Sequence, residues 1–311
     1  MRRPGLPALL GWALAVGFLV WVGLTFEWQS AWGILLKARF LVFFGATAGT
    51  LPLFFLMRTF RWQSLLPDQA RSGSLLDRYL AIGIAVGLGS VVPLQGAEIL
   101  KVEAGHSGSG LGRKRGYSAL LLERCLDLAS ILLLFFLCYP RYLPAQGRML
   151  AAALLSIALA GLLLAPWLGR IPGTGRFEAW GTGFRNLVAS PGRLTGALAS
   201  TAAAWLLVLA GWYGVLASLQ IHLRLPDLAA LMSGIALLGI FSLIPGGIGI
   251  CELGITGMLV LAGVEPARAQ GAALLLRGYS LASAALGLAF LLWQRYRAAS
   301  NGGILGTSRR R

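Results

Sequence analysis

Ionisable residues are scarce in this sequence: Asp, Glu, Lys and Arg make up 12% of it, and acidic residues number only 11. An ordinary soluble domain carries about a quarter of its residues as charges, so no water-facing domain of useful size is expected here. Histidine is scarcer still, with His106 and His222 in loops far from each other and from any cysteine pair, which leaves no ligand set for a metal. Cys125, Cys138 and Cys251 fall in or beside apolar segments at irregular spacing. They read as small buried hydrophobes and imply neither a disulfide framework nor a metal site. The Gly-rich run from Pro245 to Gly249 lacks the Walker lysine and hydroxyl, so nucleotide hydrolysis is not supported. No cofactor is expected. A net charge of +16 raises the question of nucleic acid. The basic residues lie in short loops between apolar runs, the pattern of topology determinants and lipid contacts, and no basic segment is long enough for a nucleic-acid module.

What the sequence has in abundance is apolar length. Hydrophobic residues are 57% of the chain, and several runs reach about 20 residues, enough to cross a bilayer. Full spans are expected at 6–26, 40–57, 117–138, 149–168, 197–220 and 270–294. The first follows Arg2 and Arg3 as a signal peptide would, yet it is too long for a signal core and meets Trp28 and Trp32 without a small-residue cleavage site, so it is read as a retained helix. Two further runs are broken: 80–99 by Gly87, Gly89, Pro93 and Gly96, and 229–264 by Gly239, Pro245, Gly246, Gly247, Gly249 and Gly254.

Charge decides whether the broken runs cross. If both turn back, the N-terminus, loops 58–78, 101–116 and 169–196, and the C-terminus share one side and hold 19 Lys or Arg, against 6 on the other. If 80–99 crossed alone, this bias would largely vanish. The positive-inside rule therefore favours two re-entrant hairpins with cytoplasmic termini. Ten helical residues reach about 15 Å, the midplane of a core about 30 Å thick. The expected fold is an all-α polytopic membrane protein of six full transmembrane helices plus two re-entrant hairpins. It forms a single membrane domain over 1–297, with halves of 1–138 and 149–294 and a basic cytoplasmic tail over 298–311. Trp28 and Trp32 mark one boundary, and Trp62, Trp167 and Trp293 the other, as an aromatic belt would.

The halves repeat each other. Residues Ala119 to Arg124 read Ala-Leu-Leu-Leu-Glu-Arg, and Ala273 to Arg277 read Ala-Leu-Leu-Leu-Arg, 154 residues later. Each follows a Ser-x-x-Pro break, Ser90 to Pro93 and Ser242 to Pro245, with Glu98 and Glu252 just beyond. The Glu-to-Arg interval is 26 residues in the first half and 25 in the second. One half starts inside and the other outside, which makes an inverted-topology repeat whose hairpin tips meet near mid-membrane.

Glu98, Glu123, Arg124, Asp127, Glu252 and Arg277 fall in or at the edge of apolar segments. A lone charge at a helix centre costs roughly 2.5–3.5 kcal/mol, so these must be paired, in the bundle interior or a wet cavity. Glu123 and Asp127, four apart, share a helix face. Two roles are compatible with the pattern: a polar cavity whose arginines bind an anionic headgroup, or ion pairs from Glu98 to Arg124 and from Glu252 to Arg277 that dock the hairpins. After Pro245 the glycines let the chain turn, and the next half-helix begins with N–H groups suited to a phosphate.

These residues resemble the flippase-like transmembrane region of lysylphosphatidylglycerol synthases and its stand-alone relatives, over nearly the whole chain. The family's Pro-x-x-x-Gly-Glu-x-x-Arg is similar to Pro93 through Lys101, its Glu-Arg-x-x-Asp to Glu123, Arg124 and Asp127, and its Pro-Gly-Gly-x-Gly-x-x-Glu to Pro245 through Glu252. A Tyr-Arg element resembles the region of Arg277 and Tyr279, and Arg61-Trp62 also fits. Ala97 stands at the family glycine with Gly96 one place early, and Lys101 replaces an arginine, losing bidentate geometry. The family's aminoacyl transfer belongs to a separate soluble domain, so this chain is not expected to be a synthase.

The resemblance implies a lipid translocase in a bacterial inner membrane. Substrate-binding candidates are Glu98, Lys101, Glu123, Arg124, Asp127, Glu252, Arg277 and Tyr279, and Pro93, Gly96, Pro245, Gly246, Gly247 and Gly249 form the breaks. The implied partners are lipids with anionic or zwitterionic headgroups, and a second copy of the chain or a lipid-modifying enzyme. Two alternatives stay open: a non-catalytic partner of a lipid-modifying enzyme or glycosyltransferase, and an intramembrane lipid transferase using Glu123 and Asp127 as acid and base.

Overall fold

A computed structural model describes residues 28–66, 74–90, 93–109, 112–139, 175–241 and 245–305, with a few isolated positions at 23 and between 146 and 160. Regular structure among them is entirely helical. The elements are α1 (Trp28–Leu36), α2 (Phe40–Leu65), α3 (Leu75–Gly89), a 310 turn (Pro93–Glu98), α4 (Ile99–Ser109), α5 (Arg113–Cys138), α6 (Gly175–Val188), α7 (Pro191–Ser218), α8 (Leu225–Phe241), a second 310 turn (Pro245–Gly247), α9 (Ile250–Leu261) and α10 (Pro266–Leu305).

Three of the described helices are long and apolar enough to cross a membrane, Phe40–Leu65, Pro191–Ser218 and Pro266–Arg297. They correspond to the spans expected at 40–57, 197–220 and 270–294. Helix α5 covers the span expected at 117–138 and also has 26 residues. The spans expected at 6–26 and 149–168 lie outside the described residues.

Helix α2 runs past its expected end. Its buried residues Phe43, Thr47, Leu51, Phe55, Arg58, Trp62 and Leu65 recur every three or four positions, the stripe of one helical face. The stripe carries Arg58 and Arg61 into the interior, although a surface loop was expected from 58. Lys101, also expected in a loop, lies buried in α4. In each case partner carboxylates replace the water that a loop would have supplied. Three of the basic residues counted for the inner face are thus internal, and the bias toward that face survives their removal.

Both broken runs are helix–turn–helix elements. Ser74 caps α3 by accepting from Leu76 N–H at 3.2 Å, and Ser90 closes it by donating to Gly87 O at 2.6 Å. In the second break Gly246 and Gly247 have φ of 61° and Gly249 has 86°, values that side-chain-bearing residues reach only at a cost. Packing is reciprocal. The first arm of each break lies on the last helix of the other half, α3 on α10 and α8 on α5. The second arm lies on its own, α4 on α5 and α9 on α10; α2 and α7 pack along each other, and the two 310 turns touch.

A substitution test follows from the break. At Gly247 an added Cβ would sit 2.6 Å from Cys251 Sγ, whereas at Gly263, with φ of 87°, it would meet nothing within 4 Å. Both Gly→Ala changes carry backbone strain of about 1–2 kcal/mol. Gly247→Ala is expected to lower the thermal midpoint in detergent further than Gly263→Ala, and Cys251→Ala to recover part of the difference.

The tryptophans divide. Trp32 and Trp293 are exposed on the bundle surface as a belt requires, but Trp62 is buried. Its ring lies 4.8 Å beneath Lys101 Nζ, so it serves the interior and not the membrane boundary. Trp167 lies outside the described residues.

Candidate functional site

Seven charged side chains converge where α2, the first break and α5 meet. Arg58 and Arg61 are three apart on one face of α2, and Glu123 and Asp127 are four apart on the facing side of α5. Glu98 ends the 310 turn, and Lys101 sits one turn into α4. Arg58 reaches Glu98 at 2.7 Å, Asp127 at 3.0 Å and Glu123 at 3.1 Å. Arg61 contacts Asp127 at 2.5 Å and Glu123 at 2.7 Å. Lys101 bridges Glu98 and Glu123. Arg124 closes the lattice on Asp127 at 3.0 Å and Glu98 at 3.2 Å. The planar guanidinium forks let two arginines share three carboxylates, so burial proceeds without an orphaned charge.

The second half holds a smaller version. Arg277 Nε donates to Glu252 Oε1, and Arg277 Nη1 to Gly246 O at 2.8 Å. The other oxygen of Glu252 accepts from Gly249 N–H at 2.6 Å. The start of α9, expected to offer N–H groups to a phosphate, therefore has one of them taken by the chain's own carboxylate, which also complements the helix dipole. Both expected pairs, Glu98 with Arg124 and Glu252 with Arg277, are present.

Between the halves lies a cavity of about 310 Å3. Arg58, Glu98, Arg124 and Asp127, in contact with one another, line it together with Phe54, Trp205, Val208, Trp212 and Ser280, and with Gly246 and Gly247 at the second break. Tyr279 also lines it and shares a hydrogen bond of 2.9 Å with Thr50 Oγ1. Of the candidate residues, Lys101 and Glu123 are sealed in the lattice, and Glu252 and Arg277 brace the second break. Pro93 starts the first turn, Gly96 lies within it, and Pro245 opens the second. Arg124 is the most open member of the lattice, its side chain 31% exposed against 9% or less for the others.

Arg58 and Arg61 were missed as site residues. The available signal was an imbalance: Glu98, Glu123 and Asp127 had one expected arginine among them, while two arginines at helical spacing followed the apolar run 40–57. At the surface end of α4, Arg113 and Tyr117 each donate to Glu103 at 3.1 Å. Those bonds hold its carboxyl below the ordinary range. Among the described residues no group of three or more His, Cys, Asp or Glu is placed to hold a metal ion.

Residues 8–295 match the family model described as the lysylphosphatidylglycerol synthase TM region. No curated protein and no solved structure shows significant similarity to the chain. A match over this much of an all-helical, membrane-length bundle leaves one conclusion: the chain belongs to the lysylphosphatidylglycerol synthase transmembrane-region family and is an integral membrane protein.

Proposed function

We propose that the chain is a lipid translocase, carrying an amphiphile between leaflets through the cavity between its halves. The observation that carries this is the cavity itself, lined by the part-exposed guanidinium of Arg124 and by Trp205 and Trp212. Its volume of about 310 Å3 lies at the small end for ligand sites. It suits a headgroup, with the acyl chains left in the bilayer. Arg124 would meet the phosphate, Glu98 and Asp127 would orient its guanidinium, and Tyr279 would border the path. Lys101, Glu123, Glu252 and Arg277 would hold the breaks in place. No catalytic role is assigned to any of these residues.

The architecture we propose for transport has six full spans and two re-entrant hairpins in an inverted repeat, set in a bacterial inner membrane with both termini cytoplasmic. Three features support it: the reciprocal packing of α3 on α10 and α8 on α5, the contact between the two turns, and the charge bias of the loops. Exchange would be passive or ion-coupled.

The test is leaflet exchange in proteoliposomes, read by quenching tail-labelled lipids from outside. Purified protein should accelerate exchange over protein-free vesicles, and Arg124→Gln, eluting as a folded species, should lower the acceleration at least tenfold. A change in lipid mass would indicate a transferase instead. Absence of any acceleration by folded protein would favour a partner of a lipid-modifying enzyme.

A further inference from the structure

The charge lattice has an uneven count. Four cations, Arg58, Arg61, Lys101 and Arg124, meet three carboxylates, Glu98, Glu123 and Asp127. Each carboxylate is shared by at least three cations: Glu98 by Arg58, Lys101 and Arg124, Glu123 by Arg58, Arg61, Lys101 and, at 3.8 Å, Arg124, and Asp127 by Arg58, Arg61 and Arg124. The net charge of +1 sits beside the cavity, and its most open carrier is Arg124. Arg58, which also lines the cavity, keeps a buried Nε–H with no acceptor among the described residues. The lattice carboxylates Glu98 and Asp127 line the cavity as well, and no charged side chain from outside the lattice does so among the described residues. In a space this small, a net positive charge on the lattice acts across its width.

From this geometry we infer that the cavity selects a headgroup of net charge −1, a phosphodiester bearing no ammonium group, over zwitterionic and cationic headgroups. The inference rests on the translocase role proposed above and adds the charge class of the cargo. A phosphodiester neutralises the lattice. A zwitterionic headgroup brings the same phosphate, but its ammonium meets only carboxylates already crowded by cations. An aminoacylated headgroup of net positive charge is repelled outright. Trp205, Val208 and Trp212 offer the glycerol and first methylenes an apolar surface instead of a second ion partner.

The experiment compares three tail-labelled probes in phosphatidylcholine proteoliposomes: phosphatidylglycerol, phosphatidylethanolamine and lysyl-phosphatidylglycerol. Phosphatidylglycerol should exchange at least tenfold faster than lysyl-phosphatidylglycerol, with phosphatidylethanolamine between them. Arg124→Gln, which makes the lattice neutral, should flatten the ranking. Arg124→Lys, which keeps the charge, should preserve it even if every rate falls. Equal acceleration of the three probes, or lysyl-phosphatidylglycerol fastest, overturns the inference while leaving translocation standing. If nothing exchanges, the translocase role fails, and retention of the same lipids by detergent-solubilised protein decides the charge class. Preferential retention of phosphatidylglycerol upholds it and no preference overturns it. Glycerophosphoglycerol, the deacylated phosphodiester of charge −1, added in excess separates the two sources of such an anion. If it slows exchange or displaces bound lipid, the site recognises the free organic phosphate as well; if it has no effect, recognition requires the lipid.

Discussion

Glu123→Met is expected to strip most of the folded protein from a purification. The Glu123 side chain is fully buried and faces Arg61 at 2.7 Å and Arg58 at 3.1 Å, with Lys101 on its other oxygen. Removing it takes the lattice from a net charge of +1 to +2 in an interior where Arg61 is fully buried and Lys101 only 1% exposed. Breaking a buried ion pair from one side costs about 3–5 kcal/mol, most of it the burden of the charge left behind. That is a large part of a typical folding stability. The double variant Glu123→Met/Lys101→Met restores the count and replaces a buried pair by side chains of similar length, so it should melt above the single variant. Fluorescence size-exclusion and thermal melts in detergent measure both. A single variant that elutes and melts like the parent would show that the lattice does not hold the first break in place.

The second large effect is steric. A Cβ on Gly87 would lie 2.6 Å from Ser283 O and 2.9 Å from Gly287 Cα, both backbone atoms of α10. Neither can rotate away, so Gly87→Ala must separate α3 from α10. That would strain the contact of Ser90 Oγ with Ser280 O, now 3.4 Å. Overpacking of this kind costs about 1–3 kcal/mol. Gly49, inside α2, has nothing within 4 Å of its would-be Cβ, and there Gly→Ala should stabilise by about 0.5–1 kcal/mol through helix propensity. The same change of residue is therefore expected to move the melting midpoint in opposite directions. Because Gly89 and Ser90 line the cavity, Gly87→Ala should also slow lipid exchange, whereas Gly49→Ala should not.

Several features were readable in the residues themselves. Apolar run lengths gave the class and located α2, α7 and α10, each of which extends beyond its expected span at one end or both. The Pro and Gly clusters gave both breaks; in the second, a backbone at φ of 61° or 86° strongly favours glycine, and sequence records glycine directly. The matching spacing of Glu98 to Arg124 and Glu252 to Arg277, 26 and 25 residues, gave two true ion pairs. The inner ends were less legible. Arg58, Arg61 and Lys101 carry the same letters as surface residues, and nothing local distinguishes an arginine in water from one facing a carboxylate. Trp62 looked like a belt residue for the same reason.

The sequence by itself determined a membrane-length helical bundle with two glycine-built breaks and an excess of intramembrane carboxylates that had to be paired. Tertiary structure decided which cations pair them. The meeting of α2 with α5 and the first turn sets partners 40 to 69 residues apart within hydrogen-bond distance. It also decided that Arg124, alone in this lattice, keeps a substantial face toward the cavity. The reason is physical: a charge's exposure depends on what packs around it, and only helices brought together from distant parts of the chain supply that surrounding.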